Sequence, residues 1–174
     1  MFRIGIVGHR YLANSETIAF VAAQSLAVLR QAQKTHPEVV ALSAIAEGAD
    51  TLFAEAALTL AIPLEIVRPF ADYASDFETH LARRRYETLR AAARCEEILT
   101  RKERSNAAYE AAMNWVVKRS DLLVVAWDGR PAEGAGGTGD AVKRATQLKR
   151  PWLHLDVTDL SVKSHAAGPN NKTR

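Results

Sequence analysis

From Asp121 to Lys149 the chain reads DLLVVAWDGRPAEGAGGTGDAVKRATQLK, and no other stretch restricts the fold as tightly. Leu122 to Trp127 is a short, continuous apolar run, the pattern of a fully buried strand. Five glycines follow within eleven residues: Gly129, Gly134, Gly136, Gly137 and Gly139. A helix is then expected from Asp140 to Lys149, with Val142 and Ala145 on one face. Strand, glycine loop and helix in this order form an arrangement that holds phosphate. The first N–H groups of a helix have no partner within it, and its dipole is positive at that end. Glycine lets the backbone approach an anion without a Cβ in the way. Gly136, Gly137, Thr138 and Gly139 are therefore the expected phosphate turn.

The rest of the chain repeats the alternation. Arg3–Val7, Val39–Ile45, Leu64–Val67 and Pro151–Asp156 read as four further strands. Helices are expected from Asn14 or Ser15 to Pro37, from Asp50 as N-cap to Leu60, from about Ser75 to Leu99, and from Ala107 to Arg119. About five strands alternating with helices predict an α/β fold. The sheet should be a parallel, doubly wound, Rossmann-like one with helices on both faces. With 174 residues, 48% of them apolar, the chain suits a single domain with one sizeable core. That domain is placed at residues 1–158. Residues 159–174 turn polar and are expected to be a disordered tail.

Composition narrows the function classes. The net charge of +3 is mild and the basic residues are scattered, which argues against nucleic acid as a partner. The single cysteine, Cys95, rules out an internal disulfide and is read as a small packing residue in a helix. No second histidine stands at metal spacing from His9, so no metal and no cofactor are expected. No apolar run is long enough to span a membrane and no signal peptide is visible, so a cytoplasmic location is expected. The sequon Asn171–Thr173 is discounted on the same ground.

In doubly wound sheets the ligand sits beyond the carboxyl ends of the strands, where the strand order reverses. If the first strand and Leu122–Trp127 are neighbours, two loops meet there. One is Gly8-His9-Arg10 and the other runs from Asp128 to Asp140. The turn Glu47-Gly48-Ala49-Asp50 lies beside the first. Arg10 has a planar fork suited to a phosphate, or it pairs with Asp50 or Glu47 to tie two loops. Glu47 is the carboxylate placed to meet a ribose diol or act as a base, and Asp128 is a second acidic candidate. Tyr73, Phe77 and Tyr109 are able to stack on a base, though such residues more often pack in a core.

Gly134 to Gly139 also satisfies G-x-G-x-x-G, with Asp156 near the end of the next strand. Six residues separate the strand from the first glycine, and only 18 follow Asp156. A dinucleotide fingerprint turns at once and needs a second mononucleotide half, so a hydride-transfer enzyme is disfavoured.

Three segments together resemble the SLOG superfamily, the Rossmann-like domains related to the LOG phosphoribohydrolases and the DNA-processing protein DprA. They are IGIVGHR at 4–10, LSAIAEGAD at 42–50 and SDLLVVAWDGRPAEGAGGTGDAV at 120–142. The likeness is to the bacterial sensor branch, which carries GHR, an EGAD-like turn and WDG followed by GGT. The resemblance implies a site for a nucleotide or nucleotide-derived small molecule, such as an ADP-ribose derivative. It maps Gly8, His9 and Arg10 onto the first family turn, Glu47, Gly48 and Asp50 onto the second, and Gly136, Gly137 and Thr138 onto the phosphate turn. It also implies a sensor working as a homo-oligomer or with a partner chain. The LOG enzymes carry PGG-x-GT-x-x-E, whose glutamate serves in N-glycosidic cleavage. Here GGTGDAVKR lacks both the proline and that glutamate. Binding is therefore expected ahead of hydrolysis; if hydrolysis occurs, Glu47 is the first candidate for the catalytic carboxylate, with Asp128 as the alternative.

Overall fold

The computed structural model describes residues 1–99, 104–131 and 136–166. The sheet has seven strands in the order β4-β3-β2-β1-β5-β6-β7. They are β1 (Phe2–Gly8), β2 (Val39–Ser43), β3 (Leu64–Arg68), β4 (Cys95–Ile98), β5 (Leu122–Trp127), β6 (Trp152–Asp156) and β7 (Ser161–His165). All neighbours are parallel except β6 and β7, which are antiparallel. Five helices connect them: α1 (Ser15–Thr35), α2 (Ala49–Thr59), α3 (His80–Ala92), α4 (Asn106–Arg119) and α5 (Thr138–Gln147).

Strand alternation divides the core in two. Ile4, Ile6, Ala41, Val124 and Ala126 point to one face, where Val21 and Leu29 of α1, Phe53 of α2 and Tyr86 of α3 cover them. Val7, Val40, Leu42, Leu123 and Val125 point to the other, beneath Val116 of α4 and Ala141 and Ala145 of α5. Central parallel strands are buried on both faces, which is why they read as unbroken apolar runs. The α4 helix packs directly on β1 at Gly5, where a Cβ would stand 2.7 Å from Val116 Cγ1. Local signals start the helices as usual. The Asn14 carboxamide accepts from the Thr17 N–H at 2.9 Å to cap α1, and Thr79 and Ser105 cap α3 and α4 in the same way.

Two strands exceed the expected five, and both are sheet edges. The helix expected from Ser75 to Leu99 is instead a 3₁₀ turn, Tyr73–Asp76, then α3, then β4. The β4 sequence, CEEI, has no apolar alternation because only β3 flanks it, and its side chains are largely exposed. Charge holds it: Glu96 pairs with Arg68 at 2.6 Å and Arg90 at 2.7 Å, and Glu97 accepts from Trp115 Nε1 at 2.7 Å. A charged edge strand resists pairing with other chains. Cys95 thus lies exposed on this edge, not packed in a helix. At the opposite edge, Ser161–His165 pairs with β6 although its composition placed it in the tail. The His165 ring stacks on Trp152 at 3.7 Å, and Lys163 reaches Asp156 at 3.0 Å. The remainder of that tail, 167–174 with its sequon, lies outside the described residues, as does Gly134 of the glycine string.

Candidate functional site

The strand order reverses between β1 and β5, which pair directly from Ile4↔Leu122 to Gly8↔Ala126. A cavity of about 740 Å³ opens at their carboxyl ends. Gly8, His9, Arg10, Asp50, Asp128 and Gly136 to Gly139 all line it. Glu47 and Gly48 do not.

The first loop is locked to the second by backbone. The His9 N–H donates to Ala126 O at 3.1 Å, and the Ala49 N–H donates to His9 O at 3.1 Å. Gly8 is needed for close approach, since a Cβ there would lie 2.5 Å from Ala49 Cβ. Gly48 has φ +86°, and its own Cβ would meet the Arg10 and His9 carbonyl oxygens at 2.3 and 2.4 Å. Its role is to let two loops touch. Ile45, β-branched and fully buried, sits at φ +46° just after β2. Few such residues adopt that conformation. The Ser43 hydroxyl supports it by accepting from the Ile45 N–H at 2.8 Å.

This turn decides which carboxylate meets the cavity. Asp50 lies in the first turn of α2; Gly48 occupies the N-cap position and supplies no side chain, so Asp50 is not the cap. Only 5% of Asp50 is exposed, and it faces the cavity wall. Burial pushes its carboxyl up to about 7, against the lowering influence of Arg10, the Ala46 and Ala44 N–H groups and the Ser43 hydroxyl. Glu47 is turned away, near enough to Arg85 of α3 for its charge to favour that guanidinium.

Arg10 pairs neither with Asp50 nor with Glu47. Its Nη2 donates to Asp76 Oδ2 at 3.2 Å, and its guanidinium lies 5.2 Å from the centre of the Tyr109 ring. Burial works against its charge, but Tyr73, Asp76 and Tyr109 outweigh that, and the pKa is raised. Arg10 stays a cation. Tyr73 and Phe77 are buried, at 1% and 2% exposure; Phe77 stays in the core, whereas Tyr73 and Tyr109 both line the cavity.

His9 and Asp128 meet across the β1–β5 junction. Nε2 of His9 is 3.1 Å from Asp128 Oδ1 and 3.2 Å from the Asp128 backbone N. Nε2 accepts from the Asp128 N–H when it carries no hydrogen and donates to the Asp128 carboxylate when it does. Partial burial pushes the Asp128 carboxyl up, but hydrogen bonds from the Arg130 N–H and His9 and the charges of both residues outweigh it, so it lies below the ordinary range.

Across the cavity, Gly137 is the N-cap residue of α5 at φ −74°, and its carbonyl accepts from the Asp140 and Ala141 N–H groups at 3.0 and 3.2 Å. Thr138 and Gly139 present the first N–H groups of the helix, which α5 itself does not use. The glycine that the turn demands is Gly136, at φ +83°, where a Cβ would lie 2.7 Å from the Glu110 N. The loop is thereby seated on the first turn of α4.

Residues that were not singled out as candidates complete the site. Tyr11, Trp127 and Arg130 line the cavity, and Asp76 anchors Arg10 from behind. The visible signals were the position of Tyr11 directly after the GHR turn and of Trp127 and Arg130 in and beside WDG. Asp76, on a 3₁₀ turn distant from every motif, had none. Among the described residues no group of acidic, histidine or cysteine side chains is placed to hold a metal ion, and no helix is long and apolar enough to cross a membrane.

No protein-family model and no curated protein matches the chain. Solved structures do. DNA processing protein A from Streptococcus pneumoniae superposes with a TM-score of 0.62 at 13% identity, over 88% of this chain and 50% of that one. DNA processing protein A from Helicobacter pylori, described for its single-stranded DNA binding mode, gives 0.59 at 15% identity, over 88% and 64%. TM1055, a structural genomics target, gives 0.55 at 12%, over 87% and 72%. The chain thus spans 50% and 64% of the length of the two DNA processing proteins. The expectation that nucleic acid is no partner needs correction, because a protein of this fold binds single-stranded DNA. Mild net charge is a poor guide to such partners, because backbone N–H groups at a helix N-terminus are able to hold phosphate without a basic surface. In fold, this chain is a Rossmann-like α/β domain similar to those of DNA processing protein A and TM1055.

Proposed function

We propose that this chain binds a nucleotide or nucleotide-derived ligand, phosphate first, in the cavity at the carboxyl edge of β1 and β5. The observation that carries the reading is the convergence of Arg10 and the N-terminus of α5 on one cavity. The cavity volume of about 740 Å³ suits a nucleotide-sized ligand. Arg10 supplies a fixed cation and Thr138 and Gly139 supply N–H groups, together a phosphate cradle. Asp50 is the polar group available to a sugar hydroxyl or base edge. The three segments shared with the SLOG sensor branch favour a signalling role, in which occupancy is read by a partner or a second copy. Calorimetric titration with AMP, ADP-ribose and a short single-stranded DNA oligonucleotide tests this. Saturable binding of at least one, markedly weakened in Arg10→Ala, is expected. If none binds, the reading is wrong.

A second reading, nucleotide N-glycoside hydrolysis, rests on Asp50. A buried carboxyl raised to about 7 is poised for proton transfer to a leaving base as water attacks the sugar C1′. Incubation with AMP would then release adenine and ribose 5-phosphate, and Asp50→Asn would abolish the release. Unchanged AMP after prolonged incubation leaves binding alone.

A further inference from the structure

The side chain of Asp76 is 1% exposed and lies outside every motif, yet it is the most heavily hydrogen-bonded carboxylate beside the cavity. One oxygen accepts from Arg10 Nη2 at 3.2 Å and from the Tyr109 hydroxyl at 2.6 Å. The other accepts from Arg104 Nε at 2.8 Å and from its Nη2. Two guanidinium charges share one carboxylate, so one positive charge is left over beside the cavity. Among the described residues Arg10 makes a single hydrogen bond, leaving its other N–H groups for the cavity it lines. The Tyr109 ring lies against the guanidinium, and the backbone of Tyr109 and Glu110 is the seat of Gly136. The first turn of α4 therefore backs both arms of the cradle.

We infer that Asp76 and Tyr109 are positioning residues that aim Arg10 at a phosphate-class anion held by the Gly136–Gly139 turn. The inference rests on the phosphate-binding reading above. Neither residue touches the anion; both act through Arg10. Electrostatics and positioning predict opposite signs. Removing the Asp76 charge makes the cavity more positive, which by itself tightens anion binding. Releasing Arg10 from its anchor adds the loss of a flexible side chain's freedom to the binding step, which weakens it.

The test is calorimetric titration of the full chain with AMP and with inorganic phosphate, using Asp76→Asn, Tyr109→Phe, Arg10→Ala and the Asp76→Asn/Arg10→Ala double variant. Circular dichroism melts check folding. Asp76→Asn is expected to weaken AMP binding roughly tenfold or more, and Tyr109→Phe, which changes no charge, about two- to fivefold, on the scale of a lost buried hydrogen bond. In the Arg10→Ala background Asp76→Asn should cause no further loss, because the weakening passes through Arg10. Should Asp76→Asn fail to fold, Tyr109→Phe and its combination with Arg10→Ala decide the matter by the same criterion. Tighter or unchanged binding in Asp76→Asn, or an additive loss in the double variant, overturns the positioning role and leaves the site standing. Wild-type affinity in Arg10→Ala removes the site reading and the inference with it.

Discussion

Gly48 approaches Arg10 so closely that a Cβ on it would stand 2.3 Å from the Arg10 carbonyl oxygen. The two residues lie on different loops, and this contact sets how far the GHR turn sits from α2. With φ at +86° there is no relaxed conformation for an L side chain either. Gly48→Ala is expected to destabilise the fold by about 2–4 kcal/mol in a urea melt, combining backbone strain with displacement of a loop. A loss below about 0.5 kcal/mol, the range of ordinary surface changes, would mean that the loops do not touch in solution.

Gly136 and Gly137 are adjacent but serve different purposes. Gly136 needs its left-handed torsion and its missing Cβ, whereas Gly137 sits at φ −74°, a torsion that L residues adopt freely. Gly136→Ala should therefore lower stability by about 2 kcal/mol and weaken AMP binding together. Gly137→Ala should leave stability within about 0.5–1 kcal/mol, while the bulkier Gly137→Val blocks the approach to the α5 N-terminus and abolishes AMP binding. Equal melts for Gly136→Ala and wild type would refute the assignment of the turn.

The Asp50 carboxyl supplies a pH signature. Burial raises it from the ordinary 3.8 to about 7 in the folded chain. Below pH about 4 the acid is protonated in both states and costs nothing. As pH rises toward 7 the unfolded chain releases the proton while the folded chain keeps it, so this group makes folding progressively less favourable. The penalty is complete above about 7. Asp50→Asn removes it. The stability of the variant relative to wild type should climb by an amount on the order of 2–4 kcal/mol between pH 4 and 8, then level off. Urea melts at pH 4, 6 and 8 measure this; a flat difference would show that Asp50 ionises freely.

Where the sequence was readable, burial made it so. The β1 and β5 runs are apolar because helices cover both faces, and the alternation of strands and helices implies a parallel sheet. That β1 and β5 are neighbours was a condition of the sequence reading, which the strand order meets. The glycines at 8, 48 and 136 mark backbone contacts that a Cβ would fill. The edges were not readable, because β4 and β7 are held by ion pairs and one neighbour each, which leaves no apolar period. The choice between Glu47 and Asp50 hangs on the torsions of Ile45 and Gly48, and neighbouring acids in one turn look alike in composition. Asp76 depends on a tertiary meeting of three segments far apart in the chain, which no local pattern encodes.

The central claim is the location of the ligand, and amide chemical shifts report location directly. A ¹⁵N-labelled chain titrated with AMP should show saturable shifts concentrated at Gly8, His9, Arg10, Asp50, Asp128 and Gly136 to Gly139, with the α5 amides of Thr138 and Gly139 moving most. Shifts that saturate elsewhere, or none at millimolar AMP, would contradict a phosphate cradle at the β1–β5 edge.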